Sequence, residues 1–139
     1  MKTNRLEAFS DGVLAIIITI MVLELKAPED LYLQALIPKL PIFISYLFSF
    51  IYLGIYWNNH HHLFQITEKI NGKILWANLH LLFWLSLIPF TTSWIGENYT
   101  APVPVALYGF VLLMSAIAYF VLQGFIIRHH DKEFVLRKA

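Results

Sequence analysis

The chain has 139 residues, of which 58% are hydrophobic, 16% aromatic and only 14% charged, against roughly 25% charged in an ordinary soluble domain. So few charges exclude a soluble globule and so many aromatics exclude a disordered chain. A net charge of +1 offers no basic field for nucleic acid, and the absence of cysteine removes disulfide scaffolds, thiolate metal sites and cysteine nucleophiles together.

Charges punctuate apolar runs that are read as helices, because open strands cannot satisfy their backbone in lipid. The first run, 12–23, lies between Asp11 and Glu24. As a helix it covers about 18 Å, short of a hydrocarbon core of roughly 30 Å. Either it does not span, or Asp11 and Arg5 belong to the helix at the membrane boundary. The span is drawn over 5–26, and with no small-residue cleavage site after it, it is expected to be retained. The second run carries no Asp, Glu, Lys or Arg for 28 residues between Lys39 and Glu68. Its polar end, Asn58 to His62, suggests a wet helical extension of a span drawn over 36–64. The third span, 73–95, contains Asn78, His80 and Pro89. Pro89 should kink it, with Ser86 placed to satisfy a freed carbonyl. The fourth, 104–128, follows Pro102 and Pro104. The expected architecture is thus an all-α, multi-pass bundle of four transmembrane spans in one domain over 1–139.

With the N-terminus inside, the inner side holds Lys2, Arg5, Lys69, Lys73, Arg128, Lys132, Arg137 and Lys138, and the outer side only Lys26 and Lys39. Eight against two favours cytoplasmic N- and C-termini. Trp57, Trp76 and Trp94 fall near span ends, as an interfacial belt requires, whereas Trp84 sits mid-span and should pack against other helices.

An intramembrane carboxylate is a functional candidate by default. For Asp11 two readings stand: a cap within a polar network joining helices, or a direct role in ion or proton passage. Arg5 lies six residues away on another face and should bond across helices rather than to Asp11. Ile16, Ile20 and Leu23 recur at i, i+4 and i+7, so they share one face, bordered by Thr19. Lipid contact explains such a stripe, and so does a dry constriction formed in an oligomer. His60, His61 and His62 point about 100° apart on a helix and cannot share one metal without unwinding, so no metal site is expected there. Their position at the inner end suits interfacial anchoring, hydrogen bonding to the Arg5–Asp11 region, or pH sensing. Asn78 and His80, near the inner end of the third span, are candidates for the same network. No serine elbow, phosphate loop or carboxylate pair is present, so an enzyme is not expected. The Thr-Val-Gly-Tyr-Gly filter is absent as well.

The segment Arg5-x-x-x-Phe9-Ser10-Asp11 opening the first helix resembles the signature of the transmembrane protein 175 family, the endosomal and lysosomal potassium channels and their prokaryotic relatives. Similar stretches follow: Trp57 with His62-Leu63-Phe64, Asn78-Leu79, and Leu85-Ser86-Leu87-Ile88-Pro89-Phe90-Thr91. The resemblance implies a potassium-selective channel subunit of the bacterial type in a prokaryotic plasma membrane. It implies a homotetramer that passes K⁺ passively, without a cofactor, through a pore lined by the first helix. It implies a constriction at Ile16, further apolar gate rings at Ile20 and Leu23, and a selectivity role for Ile16 and Thr19. Arg5, Phe9, Ser10 and Asp11 should hold the inner end of that helix against others. The family repeat has six helices, so the last two are expected to be missing from this chain. The competing expectation is a proton-coupled secondary transporter with Asp11 and a histidine as relay.

Overall fold

The computed structural model describes residues 2–138, with side chains described over 2–132. The side chains of Arg137 and Lys138, two of the inner charges counted from sequence, lie outside the described residues. The elements are α1 (Thr3–Leu23), a 3₁₀ segment (Leu33–Lys39), α2 (Leu40–Gln65), α3 (Gly72–Ser86), α4 (Ile88–Glu97) and α5 (Pro102–Lys138). Apart from one antiparallel bridge between Lys2 and Lys69, the described residues are helical or irregular. Four stretches are long and apolar enough to cross a membrane: Thr3–Leu23, Leu33–Gln65, Gly72–Glu97 and Pro102–Lys132.

The first helix includes Arg5 and Asp11, which lengthens the short apolar run as its length demanded. It stops at Leu23 rather than at 26, because the amides of Glu24 and Leu25 turn back to the Met21 and Val22 carbonyls at 3.2 and 3.0 Å and tighten the last turn. The third span is two helices rather than one kinked helix. Pro89 sits in the first turn of α4, where its missing N–H costs nothing, and Leu87 joins the pieces. Ser86 does not serve the carbonyl that Pro89 frees; its hydroxyl donates to Phe83 O at 2.6 Å. The fourth helix runs well past 128, since nothing after Ile127 breaks it.

In lipid no hydrophobic force draws helices together, so small residues and internal polar bonds must do so. α5 faces α3 with Val111, Ser115, Ala118, Leu122 and Ile126, all buried at helical spacing. Gly96 lets α4 approach α2 so closely that an added Cβ would lie 2.7 Å from Ser45 Oγ and 3.0 Å from Ile42 Cα. Ser49 on α2 bonds Thr92 of α4 at 2.6 Å and Tyr108 of α5 at 2.7 Å, and Tyr52 donates to Leu112 O at 2.7 Å. These contacts fix α2, α3, α4 and α5 as a frame on which α1 is mounted.

Candidate functional site

α1 has one buried stripe, Thr3, Leu6, Ser10, Leu14, Ile17 and Met21, set by the three-to-four residue repeat of a helix face. Its single polar side chain deep in the bundle is that of Ser10. From there a directional chain of hydrogen bonds crosses to α2 and α3. An amide oxygen only accepts, so His60 donates from Nε2 to Asn78 Oδ1 at 2.7 Å. Asn78 Nδ2 donates to Ser10 Oγ at 2.9 Å, and Ser10 donates to Leu6 O at 2.8 Å. Ser10 and Asn78 are 0% exposed and His60 is 1% exposed. His60 therefore belongs to the interior and not to a wet extension, and it meets the other expectation from sequence, bonding to the Arg5–Asp11 region, through Asn78 and Ser10. The ring lies against Phe64 with centroids 4.2 Å apart, which is how a histidine fits that interior. Among the described residues, two buried atoms flank the chain without a hydrogen-bond partner: His60 Nδ1 and Asp11 Oδ1.

The neighbouring candidates part company. His61 Nδ1 pairs with Glu7 of α1, and its Nε2 meets Gln65 at 3.1 Å, so this histidine ties α2 to the first turns of α1 beside the buried chain. His62 is exposed and lies against the His61 ring. His80 lies outside the network: it is exposed and accepts from Trp84 Nε1 at 2.9 Å. It points away because Asn78, two residues earlier, already occupies the face towards α1. Arg5 and Phe9 are exposed, and Arg5 makes no side-chain hydrogen bond among the described residues. Of the four signature residues, Ser10 alone forms a bond to another helix; seven-residue spacing puts Phe9 on the line of Ile16 and Leu23 instead.

That line is uncovered. Ile16 is 60% exposed, Ile20 44% and Leu23 72%, and Thr19 is exposed between them. The Thr19 hydroxyl donates to Ala15 O at 2.8 Å, which leaves its oxygen as an outward acceptor. Beside the stripe, a groove of about 750 Å³ separates α1 from α4, with Ile16, Ile17 and Ile20 facing Pro89, Phe90 and Trp94. Its end near the C-terminus of α1 is carboxylate-lined: Glu24 and Glu97 stand there, and Ser93 donates to Glu24 Oε2 at 3.4 Å. The stripe and the groove together present an apolar wall with the hydroxyls of Thr19, Ser86 and Ser93 and an acidic rim. Sequence reasoning passed over Glu7, Ser49 and Tyr108. The signal for the last two was present, since isolated polar residues within apolar spans are the usual bonds between membrane helices.

Residues 5–89 match the family described as endosomal/lysosomal potassium channel TMEM175. A potassium channel of Chryseobacterium sp. strain P1-3 is 64% identical over 139 residues, which are the whole of this chain and 72% of that protein. A potassium channel of Streptomyces collinus is 32% identical over 127 residues, 85% of this chain and 61% of that protein. The mouse endosomal/lysosomal proton channel TMEM175 is 31% identical over 97 residues, 66% of this chain and 19% of that protein. In three dimensions the chain is similar to the crystal structure of a lysosomal potassium-selective channel TMEM175 homologue from Chamaesiphon minutus. The TM-score is 0.81 at 29% identity, covering 98% of this chain and 78% of that one. The all-helical fold and the multi-pass membrane character agree with these relatives.

Proposed function

Because the chain belongs to the TMEM175 family, we propose that it is a subunit of a potassium-selective channel in which four copies surround a pore lined by α1. The observation that carries this reading is the continuous exposed stripe of Ile16, Ile20 and Leu23 on a membrane helix whose opposite face is fully buried. Four such stripes facing one axis make dry rings that block ions by excluding water, and widening the rings admits them. Ile16 is the main constriction, and Thr19, with its outward oxygen, shares with it the preference for K⁺. Phe9, on the same line, and Arg5 meet neighbouring copies at the inner end. The buried Ser10–Asn78–His60 chain keeps α1 at a fixed height and rotation, so that the rings stay in register. Flow is passive and needs no cofactor. Both termini are cytoplasmic, in a prokaryotic plasma membrane, and residues 1–139 act as one domain.

Reconstitution of the purified chain in K⁺-loaded liposomes, with Na⁺-loaded controls, tests this. Fast K⁺ efflux well above Na⁺, resolved as unitary steps in planar bilayers, is expected; slow saturable flux would defeat the reading. The rival is a proton path through Asp11 and His60, favoured by their two unpartnered buried atoms and by the name of the mouse relative. It requires Asp11→Asn to abolish acid-driven flux, whereas the channel reading expects K⁺ current to persist in that variant.

A further inference from the structure

At the end of the bundle that holds Lys2 and the α2–α3 loop, two grooves of similar size open beside the membrane boundary. One, of about 730 Å³, is lined by Lys2 and Lys69 but also by Glu7 and Glu68, so its charges cancel. The other, of about 710 Å³, lies between the start of α3 and the far part of α5, and its charges do not cancel. Among the described residues it is lined by Lys73, Arg128 and Lys132 against Asp131, with Asn71 and His129 joining the two helices through a 3.2 Å contact. Lys73, Arg128 and Lys132 make no ion pair among the described residues. Phe125 supplies an apolar wall, and Trp76, one turn along α3, is 72% exposed at the level where an interfacial tryptophan belongs.

Three cations converging from two helices beside an interfacial tryptophan meet the chemistry of one ligand class. We propose that this groove binds the headgroup of an anionic glycerophospholipid, with Lys73, Arg128 and Lys132 around the phosphate and the acyl chains running along Phe125 into the membrane. The volume falls within the roughly 300–1,000 Å³ of small-ligand sites. Basic pockets between transmembrane helices hold such headgroups because each cation adds attraction in the low-dielectric boundary. The site is independent of ion conduction and acts by fastening α5 to α3 on the side away from α1.

Native mass spectrometry of the purified chain, titrated with phosphatidylglycerol and with phosphatidylcholine, tests the assignment. Phosphatidylglycerol should survive at activation energies that strip phosphatidylcholine. Lys73→Gln, Arg128→Gln and Lys132→Gln should each weaken its retention about fivefold. Asp131→Asn should strengthen it by a similar factor, a change that general damage to the fold does not produce. The pair Lys2→Gln and Lys69→Gln in the neutral groove should leave it unchanged. Should Lys73→Gln or Arg128→Gln fail to fold, the exposed Lys132→Gln alone decides. Equal retention of the two lipids, equal loss from both grooves' variants, or displacement by inorganic phosphate at equal concentration would each overturn the proposal. The last result would assign the groove to a free anion.

Discussion

Over its first turns α1 passes a hydroxyl, that of Ser10, into an interior where Asn78 and His60 complete a one-way run of hydrogen bonds; over its last turns it passes only Leu14, Ile17 and Met21 to the same interior. On the exposed face, Ile16, Ile20 and Leu23 remain uncovered along the C-terminal half, and Arg5 and Phe9 along the N-terminal half. One helix thus carries a fastened end and a smooth end. In lipid this division has a physical reason. Apolar packing between helices gains little over packing against acyl chains, so position must come from polar bonds. Those that α1 makes to α2, α3 and the loop between them lie in its N-terminal half, from Thr3 to Ser10, which leaves the following turns free to present an apolar wall.

Substitutions at the two ends should therefore behave differently. The largest effect on the folded chain is expected from Asn78→Leu, which strands His60 Nε2–H in the interior and removes the bond to Ser10. The cost is on the order of 2–4 kcal/mol. A fall in the thermal midpoint of the detergent-solubilised protein, read by tryptophan fluorescence, measures it; an unchanged midpoint would mean that the chain of bonds is not what holds α1. Ser10→Ala should cost about 1–2 kcal/mol, since only one donor of Asn78 loses its partner. His61→Ala breaks the part-exposed pair with Glu7 and should cost about 0.5 kcal/mol, less at high salt. Smallest of all for the fold is Ile16→Asn on the exposed stripe, within about 0.5 kcal/mol. The same substitution should raise K⁺ flux or lower the K⁺/Na⁺ ratio in bilayers, because a polar side chain wets the constriction. A stable variant with unaltered current and selectivity would remove Ile16 from the ion path and erase the distinction between the two ends.

Much of this was legible beforehand. Charge spacing located four spans, and the shortness of the first left two readings, of which the structure takes the one with Arg5 and Asp11 in the helix. The break at Leu87 was half visible: Pro89 announced a disturbance, but whether a helix kinks or restarts depends on local closure that no pattern encodes. His60 stood both as part of a wet extension and as a partner for the Arg5–Asp11 region, because three adjacent histidines look alike in sequence. Their different fates come from the 100° step between them, which sends one to Asn78, one to Glu7 and one to solvent. His80 was grouped with Asn78 by proximity along the chain, although two residues on a helix point to nearly opposite sides. The exposed stripe of α1 was visible as a periodicity, yet periodicity alone does not separate a face that meets lipid from one that meets other copies. That distinction came from the resemblance to a family and not from residue spacing.

The absence of cysteine gives the most direct test of the central claim, that the uncovered stripe of α1 lines the ion path. Single cysteines at Ile16, Ile20 and Leu23, and at the buried Leu14 and Ile17, are to be exposed to a water-soluble thiol reagent during K⁺ current recording. The account predicts block at Ile16→Cys, Ile20→Cys and Leu23→Cys and none at Leu14→Cys or Ile17→Cys. Block at the two buried positions, or its absence along the stripe in conducting protein, would contradict it.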